Sequence, residues 1–353
     1  MKFSQILAVV YLSILPFISW SYTKNYQVAA IGFYNLENLF DTLDDPYKFD
    51  EDFLPNGKYN YTSKIYESKL HNLAKVISGI AADKESKYQI PGGVAILGIS
   101  EIENINVVKD LINQPALKSR NYRIVHFESP DARGIDVGMI YRPDLFRVLS
   151  AQSLYVDISA DNSKSKTRDI LHTCGILADD TIHVLVGHWP SRSGGEAASM
   201  WKRQKAASVC KRIVDSLTNI NPDTKILIMG DLNDDPISPS VAKTLGAKGG
   251  DVKNIKTSEL YNPWLSFYKK GIGTLGYDDR WNLFDQIIIS GGWIHNTNKK
   301  WKYNKAEIHS RQFMVSQFGR FKGYPHRSFS NGIWIDGYSD HFPTLLYFIK
   351  EIK

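Results

Sequence analysis

The feature that most constrains this chain is a pattern repeated along it: a short apolar, β-branched run stops abruptly at a polar residue. Residues 28–34 stop at Asn35, 94–100 at Glu101, 182–187 at His188 and 225–230 at Asp231. Runs this short and this rich in Val, Ile and Leu read as buried strands. Residues 63–82, with Leu70, Leu73, Ile77 and Ile80 on one face, and 196–217, with Ala207, Cys210, Val214 and Leu217, instead show the three-then-four spacing of helices. The segments 135–141, 146–156 and 284–290 are strand-like with no helix between them. A purely parallel, doubly wound sheet therefore fits poorly. The expected fold is α/β (α+β), a four-layer α-β-β-α sandwich of two packed mixed sheets flanked by helices.

Residues 41–61 and 236–281 have weak periodicity and read as long functional loops, not as linkers. No internal repeat is visible. A chain of 353 residues holds one large domain or two ordinary ones, and one is the simpler reading. With 43% apolar, 12% aromatic and 23% charged residues, it excludes a disordered polyelectrolyte.

The N-terminus stands apart. Lys2 precedes an apolar stretch at 6–20, and Ser19 and Ser21 are small residues placed for a cut before Tyr22, so residues 1–21 read as a secretory signal peptide. The domain is then 22–353, with a secreted or periplasmic location. The alternative, an uncleaved anchor, meets a run shorter than the roughly 20 residues of a spanning helix and interrupted by Pro16. No later stretch is long and apolar enough to span a bilayer. Cys174 and Cys210 are too few for a disulfide scaffold and wrongly spaced for zinc; pairing after export and separate burial both remain open. The formal net charge of +6, one less without Lys2, suits a polyanionic partner. Pairs such as Lys202-Arg203, Lys211-Arg212 and Lys299-Lys300 read equally well as solvated surface.

Strand after strand thus delivers Asn, Asp, Glu or His where its apolar stretch stops, gathering hard ligands and acid/base groups around one sheet edge. Hydrolysis of an anionic phosphoester needs that set: a cation against the phosphoryl charge, a group to activate water, and help for the leaving oxygen. Carboxylates and Asn amides suit Mg²⁺. The blocks FYNLENLF, ILGISEIEN, GIDVGMIYRP, TRDILHTCG, VGHWPSR, IMGDLNDDP, LFDQIIIS and YSDHFP follow one another from about Ile31 to Leu345. Any one of them arises by chance. In this order the set resembles the DNase I-like endonuclease/exonuclease/phosphatase superfamily.

The resemblance implies roles residue by residue. Asn35, Glu101 and Asp340 form the metal end, with Glu101 the main ligand of Mg²⁺, or of Mn²⁺ or Ca²⁺; strand-end capping is the bland reading of the first two. Glu37 and Glu103 are spare carboxylates nearby. Asp231 orients or deprotonates water and Asn233 holds water or a phosphoryl oxygen, against the simpler reading of an Asx-turn, which suits Asp234, Asp235 and Pro236. His341 pairs with Asp285, which fixes its tautomer and raises its basicity. His188 faces the scissile phosphate, with Asp136 as its acid partner unless Asp136 bridges to Arg133 or Arg142. Arg168 is the phosphate-binding cation, helped by Arg133, Ser191 and Arg192. Trp281 stacks on a base or sugar, or is a core aromatic. Two departures fall on the segments expected to border the substrate: Trp189, Pro190, Ser191 and Arg192 after His188, and the 236–281 insertion.

The function expected is a divalent-metal-dependent phosphoester hydrolase, an exported, monomeric nuclease acting on DNA or RNA. One alternative is a phosphodiesterase or phosphatase for lipid head groups, sphingomyelinase-like, or for small phosphate esters, with NPWLSFY at 262–268 as an exposed apolar loop for the lipid case. Another is a non-catalytic surface or binding protein of the same fold, which the filled acid/base positions argue against.

Overall fold

The computed structural model describes residues 25–159, 166–277, 279–295 and 300–352. The expected leader at 1–21 lies outside the described residues. In chain order the strands are β1 (Asn25–Leu39), β2 (Ile96–Ile102), β3 (Arg123–His126), β4 (Asp136–Tyr141), β5 (Phe146–Leu154), β6 (Ile170–Leu177), β7 (Asp180–His188) and β8 (Lys225–Asp231). There follow β9 (Ala247–Lys248), β10 (Leu260–Tyr261), β11 (Leu275–Tyr277), β12 (Arg280–Asn282), β13 (Asp285–Ser290), β14 (Lys302–Ile308), β15 (Phe329–Ser330), β16 (Ile333–Trp334) and β17 (Thr344–Ile352). The helices are α1 (Ser63–Gly79), α2 (Ile105–Ile112), α3 (Pro115–Lys118), α4 (Glu196–Ile220) and α5 (Leu265–Tyr268).

Two mixed sheets carry the molecule, ordered β14-β17-β1-β2-β4-β3 and β5-β6-β7-β8-β13-β10-β9. The apolar runs lack alternation because both faces of these strands are covered. In β1, Ala29, Ile31 and Phe33 pack between the sheets, while Ala30 and Tyr34 pack toward α1. In β8, Leu227 and Met229 face the other sheet, and Ile226 and Ile228 face α4. Helix α1 lays Leu70, Leu73, Val76 and Ile77 on the first sheet; α4 lays Ala206, Ala207, Cys210 and Val214 on the second. Each such aliphatic side chain contributes roughly 1.5–3 kcal/mol by leaving water. The result is the four-layer α-β-β-α sandwich.

Strand direction decides where the polar residues go. The pairs β1–β2 and β7–β8 are parallel, so each needs a crossover, and α1 and α4 lie in those connections. Parallel strands finish at the same edge, and the register sets Asn35 beside Ser100 and His188 beside Asp231. The antiparallel partners start where these end: Asp285 opposes Asp231, and Thr344, shortly after His341, opposes Phe33. All these groups therefore arrive at one rim.

The 236–281 stretch differs from the loop expected. It contains a π-helical turn at Ser240–Leu245, the edge strands β9 and β10, α5 and β11. Two- and three-residue strands are too short to display a period. Trp264 within NPWLSFY is fully buried and donates its indole N–H to the Ile287 carbonyl at 3.1 Å, so this segment is anchored in the core and is not a free membrane-seeking loop. Both cysteines are free thiols, Cys210 beneath α4 and Cys174 half-buried. Among the described residues no helix is long and apolar enough to cross a membrane.

Candidate active site

The rim is built around Asn35. Its amide Nδ2 donates to Glu101 Oε1 and to Asp231 Oδ2, both at 3.1 Å, so one side chain ties a carboxylate from each sheet. Its Oδ1 accepts the Glu37 N–H at 2.9 Å, which holds the amide in that orientation. Glu101 sits at an irregularity in β2, where the pairing shifts between Ser100 and Ile102, with φ of 58°. A non-glycine residue in the left-handed region costs on the order of 1 kcal/mol. The kink turns the carboxylate to the rim, where Oε2 accepts the Asn38 N–H at 2.9 Å.

Asp231 Oδ1 accepts the Asn233 N–H at 2.9 Å, the Asx-turn geometry. Its other oxygen faces the site, 3.6 Å from His188 Nε2 and 3.9 Å from His341 Nε2. Burial raises the Asp231 carboxyl to about 7; the nearby His341 opposes that rise and Asp285 adds to it. Asn233 turns its Nδ2 to the Trp189 carbonyl at 2.9 Å, so this amide supports the 188–189 backbone. Asp234 and Asp235 are structural, as expected: Asp234 pairs with the buried Arg203 at 2.8 Å, and Asp235 accepts the Leu283 N–H at 2.8 Å.

His341 Nδ1 lies 2.7 Å from Asp285 Oδ2, which also accepts the Thr274 hydroxyl at 2.5 Å. Burial disfavours charge on this imidazole, but Asp285, Asp231 and Asp340 outweigh it and hold His341 well above the usual histidine range. Ser339 Oγ accepts the His341 N–H at 3.1 Å and donates to the Asn35 carbonyl at 2.8 Å, joining the two loops. Asp340 stands 3.9 Å from His341 Nε2 and 3.5 Å from the Arg327 guanidinium, on the histidine side of the rim. His188 lies 3.8 Å from Glu101. Burial, with Arg168 and Arg133 nearby, pushes it well below the ordinary value and keeps it neutral.

Three expectations need correction. Asp136 does not partner His188: it lies 2.9 Å from His126 Nε2 and accepts the Ser129 N–H at 2.8 Å. The reason is topological, since β4 and β7 belong to different sheets. The buried His188 Nδ1 has no hydrogen-bond partner. Arg168 does not present its guanidinium to the rim; it is buried and donates to the His188 and Trp189 carbonyls at 3.1 and 2.8 Å and to Asp131 at 3.1 Å. It braces the strand end that carries His188. Arg192 is likewise occupied, reaching Asp234 and Asp235 at 3.3 Å each and the Asn233 carbonyl at 3.0 Å. Arg133 extends from the Asp131 loop with more than half of its side chain exposed. Trp281 is about one third exposed; its ring stacks 6.2 Å from Phe342 and meets Tyr324 edge-on at 4.9 Å, an aromatic shelf next to His341.

Sequence reasoning missed Thr274, Ser339, Asp131 and Lys69. Lys69 is fully buried and donates to Ser328 Oγ at 2.7 Å, while the Ser328 N–H donates to Glu37 at 2.7 Å. Burial and Asp340 raise Glu37 to about 7, with Lys69 opposing. A signal existed: Lys69 and Asn72 are polar positions on the face that α1 buries.

A hard cation fits this donor set. One ligand atom each from Glu101, His188 and Asp231 lies within 4.8 Å of the others, as does one each from Asp231, Asp285 and His341. Fold and site together define a hydrolase of the two-sheet phosphoesterase class. The sequence model of the Endonuclease/Exonuclease/phosphatase family matches residues 30–350, and the chain belongs to that family.

Among solved structures, an endonuclease/exonuclease/phosphatase family protein from Bacteroides thetaiotaomicron is similar at 15% identity and TM-score 0.54, covering 93% of this chain and 100% of its own. A mannosyl-6-phosphatase from Bacteroides thetaiotaomicron gives 14% and 0.52, with 92% and 100% covered. TDP2 of D. rerio complexed with a single-strand DNA product gives 12% and 0.51, with 91% and 98% covered. At these identities the likeness is one of fold. A search of curated proteins finds no match.

Proposed function

We propose that this chain is a divalent-metal-dependent phosphoesterase that hydrolyses phosphodiester bonds of nucleic acid, at chain ends or in single strands. The observation that carries the reaction is the meeting of Asn35, Glu101 and Asp231 at 3.1 Å with His188 and His341 within 3.9 Å of Asp231. Glu101, with Asp340 and the Asn35 amide, is assigned to Mg²⁺ or Mn²⁺, which when bound would offset charge on the phosphoryl oxygens. Asp231, with one oxygen fixed by Asn233 and the other facing the rim, takes the proton of the attacking water. The positively charged His341, held by Asp285, donates from Nε2 to a phosphoryl oxygen, and neutral His188 hydrogen-bonds the leaving side. What supports a nucleotide is the exposed edge of the Trp281 shelf, onto which a base can stack.

A second reading, a small phosphate ester such as a sugar phosphate, is favoured by the withdrawal of Arg168 from the rim. The two folds cited above span this choice, one holding a DNA product and the other named for a phosphosugar. The test is a Mg²⁺/Mn²⁺ hydrolysis panel on single-stranded DNA, RNA, plasmid, a hexose phosphate and sphingomyelin. Rapid cleavage of single strands supports the proposal; rapid phosphate release from the hexose ester with DNA and RNA intact replaces it with the second reading. The leader proposal is separate: N-terminal sequencing of protein exported from a host cell should begin at Tyr22.

A further inference from the structure

Beside the rim, on the far side of Glu103, lies a cavity of about 430 Å³ that the reaction does not use. Its walls carry the carboxylates of Asp41, Asp44, Asp45, Asp50, Glu103 and Glu128. Among the described residues none of these six forms an ion pair with a Lys, Arg or His. The two cations in the lining do not compensate them. Lys48 Nζ is directed to the Ser129 and Asp131 carbonyls at 3.2 Å each, and Arg133 Nε to Asp131 at 3.4 Å.

A group of acids on a surface is ordinarily just solvated. Asp50 is not: it is 2% exposed, and while Oδ2 accepts the Asp45 N–H at 3.0 Å, Oδ1 is buried with no hydrogen-bond partner. Leaving a buried carboxylate oxygen unsatisfied is costly. With only oxygen donors, no His or Cys and no free cation in the lining, the missing partner is a hard metal ion. An irregular loop supplying several carboxylates and carbonyls suits the flexible, high coordination number of Ca²⁺ better than the strict octahedron of Mg²⁺.

We propose that the 41–50 loop and Glu103 form a calcium site, distinct from the catalytic cation, that fastens this loop to the end of β2. Its position gives it a role. Glu101 accepts the Asn38 N–H and Glu103 accepts the Asp41 N–H at 2.7 Å, so the catalytic and the calcium carboxylates grip two points of one segment. Calcium thereby steadies the backbone on which Asn35 and Glu101 are oriented.

The test is calorimetric titration of Ca²⁺ into the Glu101→Gln variant, which removes the main ligand of the catalytic cation, alongside thermal unfolding with Ca²⁺ or chelator. About one equivalent should bind and raise Tm, since an ion that binds only the folded chain stabilises it by mass action. Asp50→Asn in that background should abolish both effects with an unchanged far-ultraviolet spectrum. Should Asp50→Asn fail to fold, the more exposed Asp45→Asn decides, with an expected loss of about tenfold or more in affinity. No calcium binding by the Glu101→Gln protein, or binding undiminished by both loop substitutions, overturns the proposal; Mg²⁺ binding as tightly at this place overturns its assignment to calcium.

Discussion

A single amide decides much of the chemistry at the scale of residues. Asn35 holds Glu101 and Asp231 together, two carboxylates that would otherwise repel, and it does so beside a carboxyl that burial raises to about 7. A cation favours the ionised form, so Mg²⁺ binding near pH 7 should release protons. Calorimetry in buffers of different ionisation heat reads that release directly, and its absence would remove Asp231 from the cation's surroundings. Glu101→Gln should lower kcat by about a hundredfold or more without a change in unfolding midpoint in chelator. His341 and Asp285 act through one hydrogen bond, so His341→Ala, Asp285→Ala and the double variant should lose similar activity; losses that multiply would show two independent roles. Arg168→Ala should cost about 3–5 kcal/mol in urea unfolding, because it strands Asp131 and two carbonyls, while leaving the salt dependence of KM unchanged. The strand-end residues were legible because an apolar run that stops at an acid announces itself. Arg168 and Asp136 were misplaced because sequence shows neither the burial of a cation nor the sheet to which a strand belongs.

Among elements, the pairing of β7 with β8 is the tightest constraint. Gly187 and Gly230 are register partners one step before His188 and Asp231, and a Cβ on Gly230 would lie 2.0 Å from the Gly187 carbonyl oxygen. That contact is backbone on backbone and cannot be relieved by a rotamer. Gly230→Ala should therefore cost about 3 kcal/mol and separate His188 from Asp231, seen as a lower unfolding midpoint together with lost activity. Strands of six or more residues covered on both faces were readable from the sequence. The edge strands β9 and β10 were not, because two residues carry no period and their pairing depends on β13 being in place.

For the molecule as a whole, buried histidines set the response to acid. His309 is fully buried with neither ring nitrogen hydrogen-bonded, and burial, with Arg311 beside it, lowers its value to about 3. Its unfolded value is about 6.5, so between those limits the unfolded chain binds the extra proton. Stability is thus complete above about pH 6.5 and declines as pH falls toward 3. His183, lowered by burial to about 4, acts in the same sense. Urea unfolding should show a loss on the order of 3 kcal/mol between pH 7 and 4, and His309→Leu should flatten it; an unchanged slope would place the acid sensitivity elsewhere. The sandwich could be anticipated because helical and strand-like segments alternate irregularly along the chain, but no local pattern reveals that β1 and β17 lie side by side, with Asn25 opposite Ile352. That neighbourhood has a temporal consequence. Because β1 is made first and β17 last, one side of a fully apolar strand waits without its hydrogen-bonding partner until nearly the whole chain exists. Completion of the first sheet is a late, long-range closure, and a nascent chain halted before β17 exposes an open β edge on which aggregation can begin.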